Sequence, residues 1–342
     1  MPEDRTPGVP PARPGPGGGE FEIELNPPGA EAEFVEKLNL CFDHWGDART
    51  FDWCFRRPAA PAGDLLVARG DHGLVSGAAV TYRTVVLPDG RQLFSGIAMA
   101  AWTLPEARGK GVFGRLLAGC VRQAARRGAP VTLSWHTADN VSTRGVQRVG
   151  AGMFPTSYAF SGPDTPVPAA GLAVSAVAGE AGWERVRSAL EASRVGYTRI
   201  GYSPAEWRAQ FVDRPLGSEL VAVGEVGWAV VERAGEWDRV QALVADTDAG
   251  LDACLAALLR RAALSGRRLF VFSSLPSWAR RFSRLGLQAR PGFLSVMLGD
   301  AEGLGRALGV QPEAGAFAHS RLETPGDPWY LGPWNVQSGD RM

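Results

Sequence analysis

The chain has 342 residues with 36 basic and 36 acidic side chains, a formal net charge of zero, and 45% hydrophobic residues. That length can bury the cores of two domains of ordinary size, and the balanced charge argues against bulk binding to nucleic acid or to an acidic membrane. No apolar run reaches the roughly 18 residues that span a bilayer, and the first residues lack the apolar core of a secretion signal. The four cysteines are far apart and the four histidines have no ligand spacing. We therefore expect a cytoplasmic protein without a structural metal.

Residues that break helices and strands, together with the spacing of apolar residues, predict the order of helices and strands. Residues 1–20 are rich in Pro and Gly, so we expect a disordered tail there. We then predict strands at 21–25, 64–69, 74–87, 92–104 and 131–136 and helices at 31–42, 112–127 and 141–149. The helix at 112–127 has the clearest apolar face, formed by Val112, Leu116, Leu117, Cys120, Val121 and Ala124. Gly128 follows it as a C-terminal cap.

The second half of the chain repeats this order after a linker at 161–168 that is rich in breakers. Strands are predicted at 172–177, 219–223, 227–232 and 269–273, and helices at 183–192 and 251–264. Residues 206–215 also repeat the pattern of residues 52–58. We infer an internal duplication, with a first unit at 21–165, a second unit at 166–322 and an aromatic tail at 323–342.

The loop at 103–114 carries the strongest chemical signal. It lies between a strand and the N-terminus of the 112–127 helix, where unpaired N–H groups and the positive dipole end attract anions. Gly109 and Gly111 let backbone amides approach an anion, and Arg108 and Lys110 add positive charge. The loop therefore predicts a diphosphate site.

Two well-known phosphate motifs fit this loop poorly. A Walker A loop needs Ser or Thr after its lysine, and Lys110 is followed by Gly111. The spacing Gly109-x-Gly111-x-x-Gly114 has the letters of the dinucleotide fingerprint. That motif opens a βαβ unit and needs an acid at the end of the next strand, which ends here in His136.

A third pattern explains more of the sequence. Residues 108–113, Arg-Gly-Lys-Gly-Val-Phe, resemble the Arg/Gln-x-x-Gly-x-Gly/Ala signature of the GNAT superfamily of acyl-CoA-dependent N-acyltransferases. Phe113 replaces the last small residue of the signature, and Gly114 follows it. The resemblance extends over 21–160, with 140–150 similar to the motif B helix, and the repeated order resembles tandem GNAT proteins. It implies an α/β fold of two tandem GNAT-like units, each a mixed, mostly antiparallel twisted sheet flanked by helices.

The resemblance also implies a binding mode for acetyl-CoA as co-substrate, with a small-molecule amine as the acceptor. The coenzyme A diphosphate would be held by backbone amides of the residues Arg108, Gly109, Lys110, Gly111, Val112, Phe113 and Gly114. The pantetheine arm would pair with the strand end formed by Ala101, Trp102 and Thr103, whose free N–H groups would polarise the thioester carbonyl. Asn140 would border the arm, or it would serve as a helix N-cap.

The acid and base of such a reaction are not evident. Deprotonating an alkyl ammonium with a pKa near 10.4 costs about 4 kcal/mol at neutral pH. Related enzymes often use a strand carboxylate and a tyrosine, but the tyrosine position here is Val146, and strand 97–103 has no acid. His136 and Tyr158 remain as candidates, each with a structural role as the alternative.

The second unit and the tail leave further alternatives. When the two units are aligned on the glycines that end their long helices, Asp246 lies opposite Arg108, so the second unit should repel a diphosphate. Alternatively, the acids of the second unit would cap the helix that follows them. The tail either docks on a domain surface or lines the acceptor cleft with Trp329, Tyr330 and Trp334. A non-catalytic acyl-CoA-binding protein and another acyl donor, including an aminoacyl one, stay open. The acceptor and the oligomeric state, including a homodimer, are also open.

Overall fold

The computed structural model describes residues 21–57, 60–311 and 317–341, so the tail predicted at 1–20 lies outside the described residues. The strands of the described chain are β1 (Glu22–Leu25), β2 (Asp64–Gly70), β3 (Gly73–Val86), β4 (Gln92–Thr103), β5 (Val131–Thr137), β6 (Gly152–Phe160), β7 (Val174–Ala176), β8 (Arg199–Gly201), β9 (Ser218–Val223), β10 (Gly227–Ala234), β11 (Trp237–Ala245), β12 (Arg268–Ser273) and β13 (Gln288–Leu298). Its α-helices are α1 (Ala30–Phe42), α2 (Ala48–Phe55), α3 (Val112–Arg126), α4 (Val141–Arg148), α5 (Glu180–Ser193), α6 (Pro204–Phe211), α7 (Asp248–Leu264), α8 (Pro276–Arg284), α9 (Ala301–Leu308) and α10 (Ser320–Glu323).

All these strands form one sheet whose order reveals the duplication. The order is β1-β2-β3-β4-β5-β13-β6-β12-β11-β10-β9-β7, with β8 paired to β3. From either end the sheet begins with four antiparallel strands, followed by one parallel pair, β4–β5 in the first unit and β11–β12 in the second. The two halves therefore repeat about the centre of the sheet, and the predicted tandem, mostly antiparallel α/β fold is confirmed.

The two units exchange strands at the centre of the sheet. Strand β13 comes late in the chain, yet it pairs with β5 of the first unit along residues 131–137. Strand β6 comes from the first unit and pairs with β12 of the second. The strands β13 and β6 pair with each other from Gln288–Phe160 to Val296–Gly152. The sheet is therefore continuous across residue 165, where the sequence suggests a boundary.

Helices cover both faces of the first unit because alternate strand residues point to opposite sides. Leu65 and Val67 of β2 pack in a cluster with α1 and α2. Leu66 and Ala68 pack in another cluster with α3. All six residues of the predicted apolar face of α3 are buried, and Gly128 adopts the positive φ, 83°, that a C-terminal cap favours. The parallel pair β4–β5 needs this long crossover helix.

The C-terminal region belongs to the central core. Trp329, Leu331 and Trp334 are buried in a cluster that also contains Ile97 and Leu133 from the first unit. Tyr330 packs at the edge of that cluster. The tail thus docks on the face of the central sheet, as one of the two sequence hypotheses expects.

Candidate functional site

The parallel strands β4 and β5 separate along their length. They pair only at Ser95–Val131, Gly96–Thr132 and Ile97–Leu133. Both strands continue past the last pair, β4 to Thr103 and β5 to Thr137. Residues 98–101 and 103 of β4 are partly exposed, whereas Ile97 is fully buried. The first unit therefore has a V-shaped opening with an unpaired strand edge on β4.

A bulge in β4 lies at this opening. The register with β3 passes from Ala79–Met99 to Gly77–Trp102, so Ala100 and Ala101 together face one residue of β3. Ala100 has φ of 51°, in the left-handed region that residues other than glycine rarely occupy. A bulge twists a strand and turns its backbone groups away from the ladder. No sequence signal marks Ala100, because alanine is not a typical residue for positive φ.

The predicted anion loop follows β4 directly. A short 3₁₀ turn, Pro105–Ala107, leads into Gly109 and Gly111, with φ of 77° and 74°. A Cβ atom at either glycine would meet no described atom within 4 Å, so their surroundings are open. Gly111 is the N-cap of α3 and contributes no side-chain cap. The first hydrogen bond of the helix runs from the Arg115 N–H to the Gly111 carbonyl at 3.2 Å, which leaves the N–H groups of 112–114 without a helical acceptor.

The two cations of the loop lie at its surface. Arg108 is exposed, and its Nε donates to the Thr103 carbonyl at 3.2 Å, which joins the loop to the end of β4. The Nζ of Lys110 lies 5.5 Å from the centre of the Phe21 ring. Arg115 donates to the Phe21 carbonyl at 2.8 Å. Open amides, a helix dipole and two exposed cations together form a site suited to an anion.

Asn140 begins α4 on the other side of the opening. Its side chain accepts hydrogen bonds from the Ser142 N–H at 2.9 Å and from the Ser142 hydroxyl at 2.8 Å. Asn140 is therefore the N-cap of α4, which is the plainer of the two sequence hypotheses. A capping residue still has a free amide nitrogen, so the predicted contact with the pantetheine arm stays a prediction.

His136 is enclosed between β5, α4 and β13. Its Nδ1 lies 2.9 Å from the Thr143 hydroxyl, and its Nε2 makes a hydrogen bond with the Ser295 hydroxyl. The residue is only 5% exposed, and burial lowers the pKa of its imidazole. Both ring nitrogens thus have hydroxyl partners, an arrangement typical of a structural histidine.

Tyr158 lies in the centre of the molecule, on β6. Strand β13 separates β6 from β5, so Tyr158 is about 10 Å from β5 at the usual strand spacing. Its ring packs edge-on against Phe272, and the guanidinium of Arg341 lies over it at 4.7 Å. Burial raises the pKa of its hydroxyl. The two candidate acid–base residues are therefore not brought together.

The corresponding loop of the second unit is capped and acidic. The Thr247 hydroxyl accepts a hydrogen bond from the Gly250 N–H at 3.0 Å, which caps the N-terminus of α7. Asp248, in the first turn, pairs with Arg281 at 2.6 Å. Asp246 and Asp248 are exposed at the mouth of the loop. An anion would meet carboxylates there, as the sequence predicts.

The described part of the chain contains neither a metal cluster nor a membrane-spanning helix. No group of three or more His, Cys, Asp or Glu side chains within it could hold a metal ion. None of its helices is long and apolar enough to cross a membrane.

Comparison with known proteins agrees with this geometry. Residues 27–154 match the family model of the acetyltransferase (GNAT) domain. No curated protein matches the chain. Among solved structures, the chain is similar to a GCN5-related N-acetyltransferase from Kribbella flavida, with 17% identity, a TM-score of 0.58 and coverage of 94% of this chain and 82% of that one.

Two other similar structures extend the comparison of folds. A GCN5-related N-acetyltransferase from Anabaena variabilis has 12% identity and a TM-score of 0.57 and covers 84% of this chain and 75% of its own. N-myristoyltransferase from Saccharomyces cerevisiae, solved with bound myristoyl-CoA, has 11% identity, a TM-score of 0.59 and coverage of 84% and 82%. At such identities these likenesses show the fold alone. Residues 27–154 are thus similar in sequence to the acetyltransferase (GNAT) domain, and the chain as a whole is similar in fold to the solved GNAT structures.

Proposed function

We propose that the protein is an acetyl-CoA-dependent N-acetyltransferase of the cytoplasm. Coenzyme A binds in the first unit, and the acetyl group passes directly to the amine of a small molecule. The proposal rests chiefly on one observation: the unpaired edge of β4 runs straight into an uncapped, glycine-rich helix N-terminus. A strand edge and an anion site in series suit a ligand with a peptide-like arm and a diphosphate.

The proposed binding mode follows the unpaired groups along the chain. Residues 98–103 form an edge about 20 Å long at the usual rise of a strand, and the arm pairs with backbone groups there. The diphosphate then reaches the amides of 109–114, where Gly109 and Gly111 leave open space. Arg108 and Lys110 add Coulomb attraction.

The acetyl carbonyl lies beside the bulge in this proposal. Backbone N–H groups near Ala100 and Ala101, turned out of the ladder by the bulge, donate to the carbonyl oxygen as negative charge develops on it. The amine attacks the carbonyl carbon, and the C–S bond breaks to release the coenzyme A thiolate, which takes up a proton. No covalent enzyme intermediate is needed.

Loss of the amine proton is assigned to a water chain. His136 has hydroxyl partners at both ring nitrogens, and Tyr158 lies two strands away from β5. A His136→Gln variant tests this assignment. We expect its kcat to stay within about threefold of wild type, whereas a general base contributes roughly 100-fold or more.

Calorimetric titration with acetyl-CoA tests the proposed binding mode. We expect one site per chain. In Arg108→Asp the affinity should fall about 30-fold, because reversing a charge changes the Coulomb energy by about 2 kcal/mol at 4 Å in a water-like medium.

Arg122→Asp is the matched control for this titration. Arg122 is exposed on the same helix, about 15 Å from Val112 at 1.5 Å per residue. Its reversal makes the same change in net charge, so a general electrostatic effect would weaken binding in both variants. Equal affinity in wild type and Arg108→Asp would contradict the proposed site.

Acyl-CoA binding without turnover is the second candidate function. Both ring nitrogens of His136 make hydrogen bonds, and residues 97–103 include no carboxylate that could act as the base instead. These two observations favour binding without turnover. Release of free coenzyme A thiol over a broad panel of amines separates the two functions. Saturable binding of acetyl-CoA, with no thiol released in the presence of any amine and none released from other acyl-CoA donors, would favour binding without turnover.

A further inference from the structure

The second unit has the same opening as the first. Strands β11 and β12 pair from Trp237–Arg268 to Val240–Val271, and β11 then continues to Ala245 paired with β10 but no longer with β12. For comparison, in the first opening the register between β3 and β4 pairs Thr81 with Ile97 and Gly77 with Trp102.

Equivalent positions in the two openings follow from the matching β10–β11 register. There Glu232 pairs with Arg239, and Trp228 pairs with Val244. Ile97 and Trp102 are as far apart in the chain as Arg239 and Val244. Leu243 therefore holds the position in the second opening that Ala101 holds in the first.

The second opening contains part of the chain itself, the C-terminal segment (residues 334–341). The Leu243 N–H donates to Oε1 of Gln337 at 2.7 Å, and Nε2 of Gln337 donates to the Leu243 carbonyl at 3.0 Å. On the other wall, Gln337 forms an antiparallel bridge with Ser273 at the end of β12. Gln337 thus joins both edges of the opening, and its side-chain amide occupies both backbone groups of Leu243.

The rest of the C-terminal segment is firmly held. The Ser274 N–H donates to the Val336 carbonyl at 3.1 Å, and the Val336 N–H donates to the Ser274 hydroxyl at 2.8 Å. Asp340 is fully buried and accepts hydrogen bonds from Arg194 at 2.8 and 3.2 Å. It also accepts one from the Tyr202 hydroxyl at 3.0 Å. These contacts fix both ends of the part that crosses the opening.

Little room remains beside the C-terminal segment. The cavity left between it, the end of β11 and the N-termini of α7 and α8 has a volume of about 240 Å³. Binding sites for small molecules typically have roughly 300–1,000 Å³. The capped, acidic N-terminus of α7 described above borders the same cavity, so neither the space nor the charge suits a diphosphate ligand.

We propose that the C-terminal segment is a built-in occupant of the second opening, with the Gln337 amide in the place of an amide of a bound acyl-CoA arm. The inference rests on the proposed function for its comparison with the first unit. It implies that each chain takes up one acyl-CoA and that the second unit holds the C-terminal segment instead. The opening at Ala101 is then the only one of the two that is free to exchange a ligand.

Residue-resolved hydrogen exchange of the full-length protein, with and without acetyl-CoA, tests this inference. In the free protein the Leu243 amide should exchange at least about 100-fold more slowly than the Ala101 amide, because among the described residues only the Leu243 N–H has an acceptor in its opening. Saturating acetyl-CoA should slow exchange at Ala101 and leave Leu243 unchanged. Exchange at Leu243 as fast as at Ala101, or protection of Leu243 by acetyl-CoA, would overturn the inference.

Two variants examine the role of Gln337 itself. Gln337→Leu keeps a similar side-chain volume and removes both hydrogen bonds, so exchange at Leu243 should rise at least about tenfold. Ser274→Ala is a milder variant, in case the first fails to fold. It loosens the segment at Val336 and should raise Leu243 exchange in the same direction. Unchanged exchange in both variants would contradict the role given to the segment.

The same data separate this inference from the proposed function. If acetyl-CoA leaves Ala101 unprotected while Leu243 stays protected through Gln337, the proposed function fails and the built-in occupant stands. If acetyl-CoA slows exchange at both Ala101 and Leu243, the function stands and the inference fails.

Discussion

Gly109 and Gly111 show how a single residue type determines the proposed site. Both have positive φ, and both face open space, so their conformation depends on the missing Cβ and not on tight packing. The Arg-Gly-Lys-Gly pattern allows this loop to be predicted from the sequence. In contrast, the bulge at Ala100 could not be predicted, because its positive φ is imposed by the paired strand β3 and not by the residue itself.

Gly111→Ala should weaken binding of acetyl-CoA by at least about tenfold, or 1.4 kcal/mol. A Cβ at φ of 74° costs about 1–2 kcal/mol of backbone strain, and it projects toward the space proposed for the diphosphate. The measurement is the dissociation constant by calorimetry, with the melting temperature taken in parallel.

Gly128→Ala provides the matched control at the other end of the same helix. Gly128 has φ of 83° and equally open surroundings, so the strain is similar. We expect a similar loss of stability with an unchanged dissociation constant. An equal effect of both variants on binding would mean that strain in α3, and not a contact with the ligand, is responsible.

His136 should make stability depend on pH. Burial lowers its pKa in the folded protein, below the ordinary value near 6.5 that it has when unfolded. The folded state thus favours the neutral ring, and the stability that His136 contributes is complete above about pH 6.5 and is lost as the pH falls below that value toward the lower pKa of the folded protein.

Urea denaturation of wild type and His136→Gln checks this dependence. At pH 8 the variant should be less stable by about 1–2 kcal/mol, because it loses the hydrogen bonds to Thr143 and Ser295. At pH 5.5 the difference should be smaller. A difference that grows on acidification would contradict a buried, neutral histidine.

Among the elements, those with local signals could be predicted and those with distant partners could not. Helix α3 and the strands β3 and β4 have the predicted positions within one or two residues. The position of β13 between β5 and β6 depends on pairing with residues more than 120 positions away in the chain. No short-range pattern records such a partner, so the sequence alone predicts no strand there.

Helix α3 is held to the sheet by a buried carboxylate. Asp64 of β2 accepts hydrogen bonds from Arg127 at 2.8 and 3.0 Å and from the Tyr82 hydroxyl at 2.6 Å. Burial raises the pKa of Asp64, but these hydrogen bonds outweigh it, so the pKa lies below the ordinary value. Its contribution to stability is therefore present above about pH 4 and is lost as the pH falls further.

Asp64→Asn should lower the free energy of unfolding by about 1–3 kcal/mol at pH 7, with a smaller difference near pH 3. Asp89→Asn serves as the control, because Asp89 pairs with Arg91 on the exposed hairpin turn and should change stability little. Equal effects of the two substitutions on the free energy of unfolding in urea would contradict the role of Asp64 in holding α3 to the sheet.

For the whole molecule, the exchange of β6 and β13 means that each unit is completed by the other. The duplication itself could be predicted, because the repeated order of elements is present in the sequence. The division into 21–165 and 166–322 is a proposal about sequence units. The shared sheet implies that these units do not fold separately.

Expression of residues 21–165 alone tests this dependence. The fragment lacks β12 and β13, so β5 would lose its partner on one edge and β6 its partners on both. We expect it to lack cooperative unfolding by circular dichroism, whereas the full chain should unfold in one transition. A soluble fragment with its own cooperative transition would show that the exchanged strand is dispensable.

A crystal structure of the full chain with acetyl-CoA would show where the ligand binds. We expect the diphosphate against the backbone amides of residues 109–114, the arm along the free edge of β4 and the thioester beside Ala100. We expect the C-terminal segment to be unchanged in the second opening. A diphosphate bound at the N-terminus of α7, or anywhere else away from residues 109–114, would contradict the proposed binding mode.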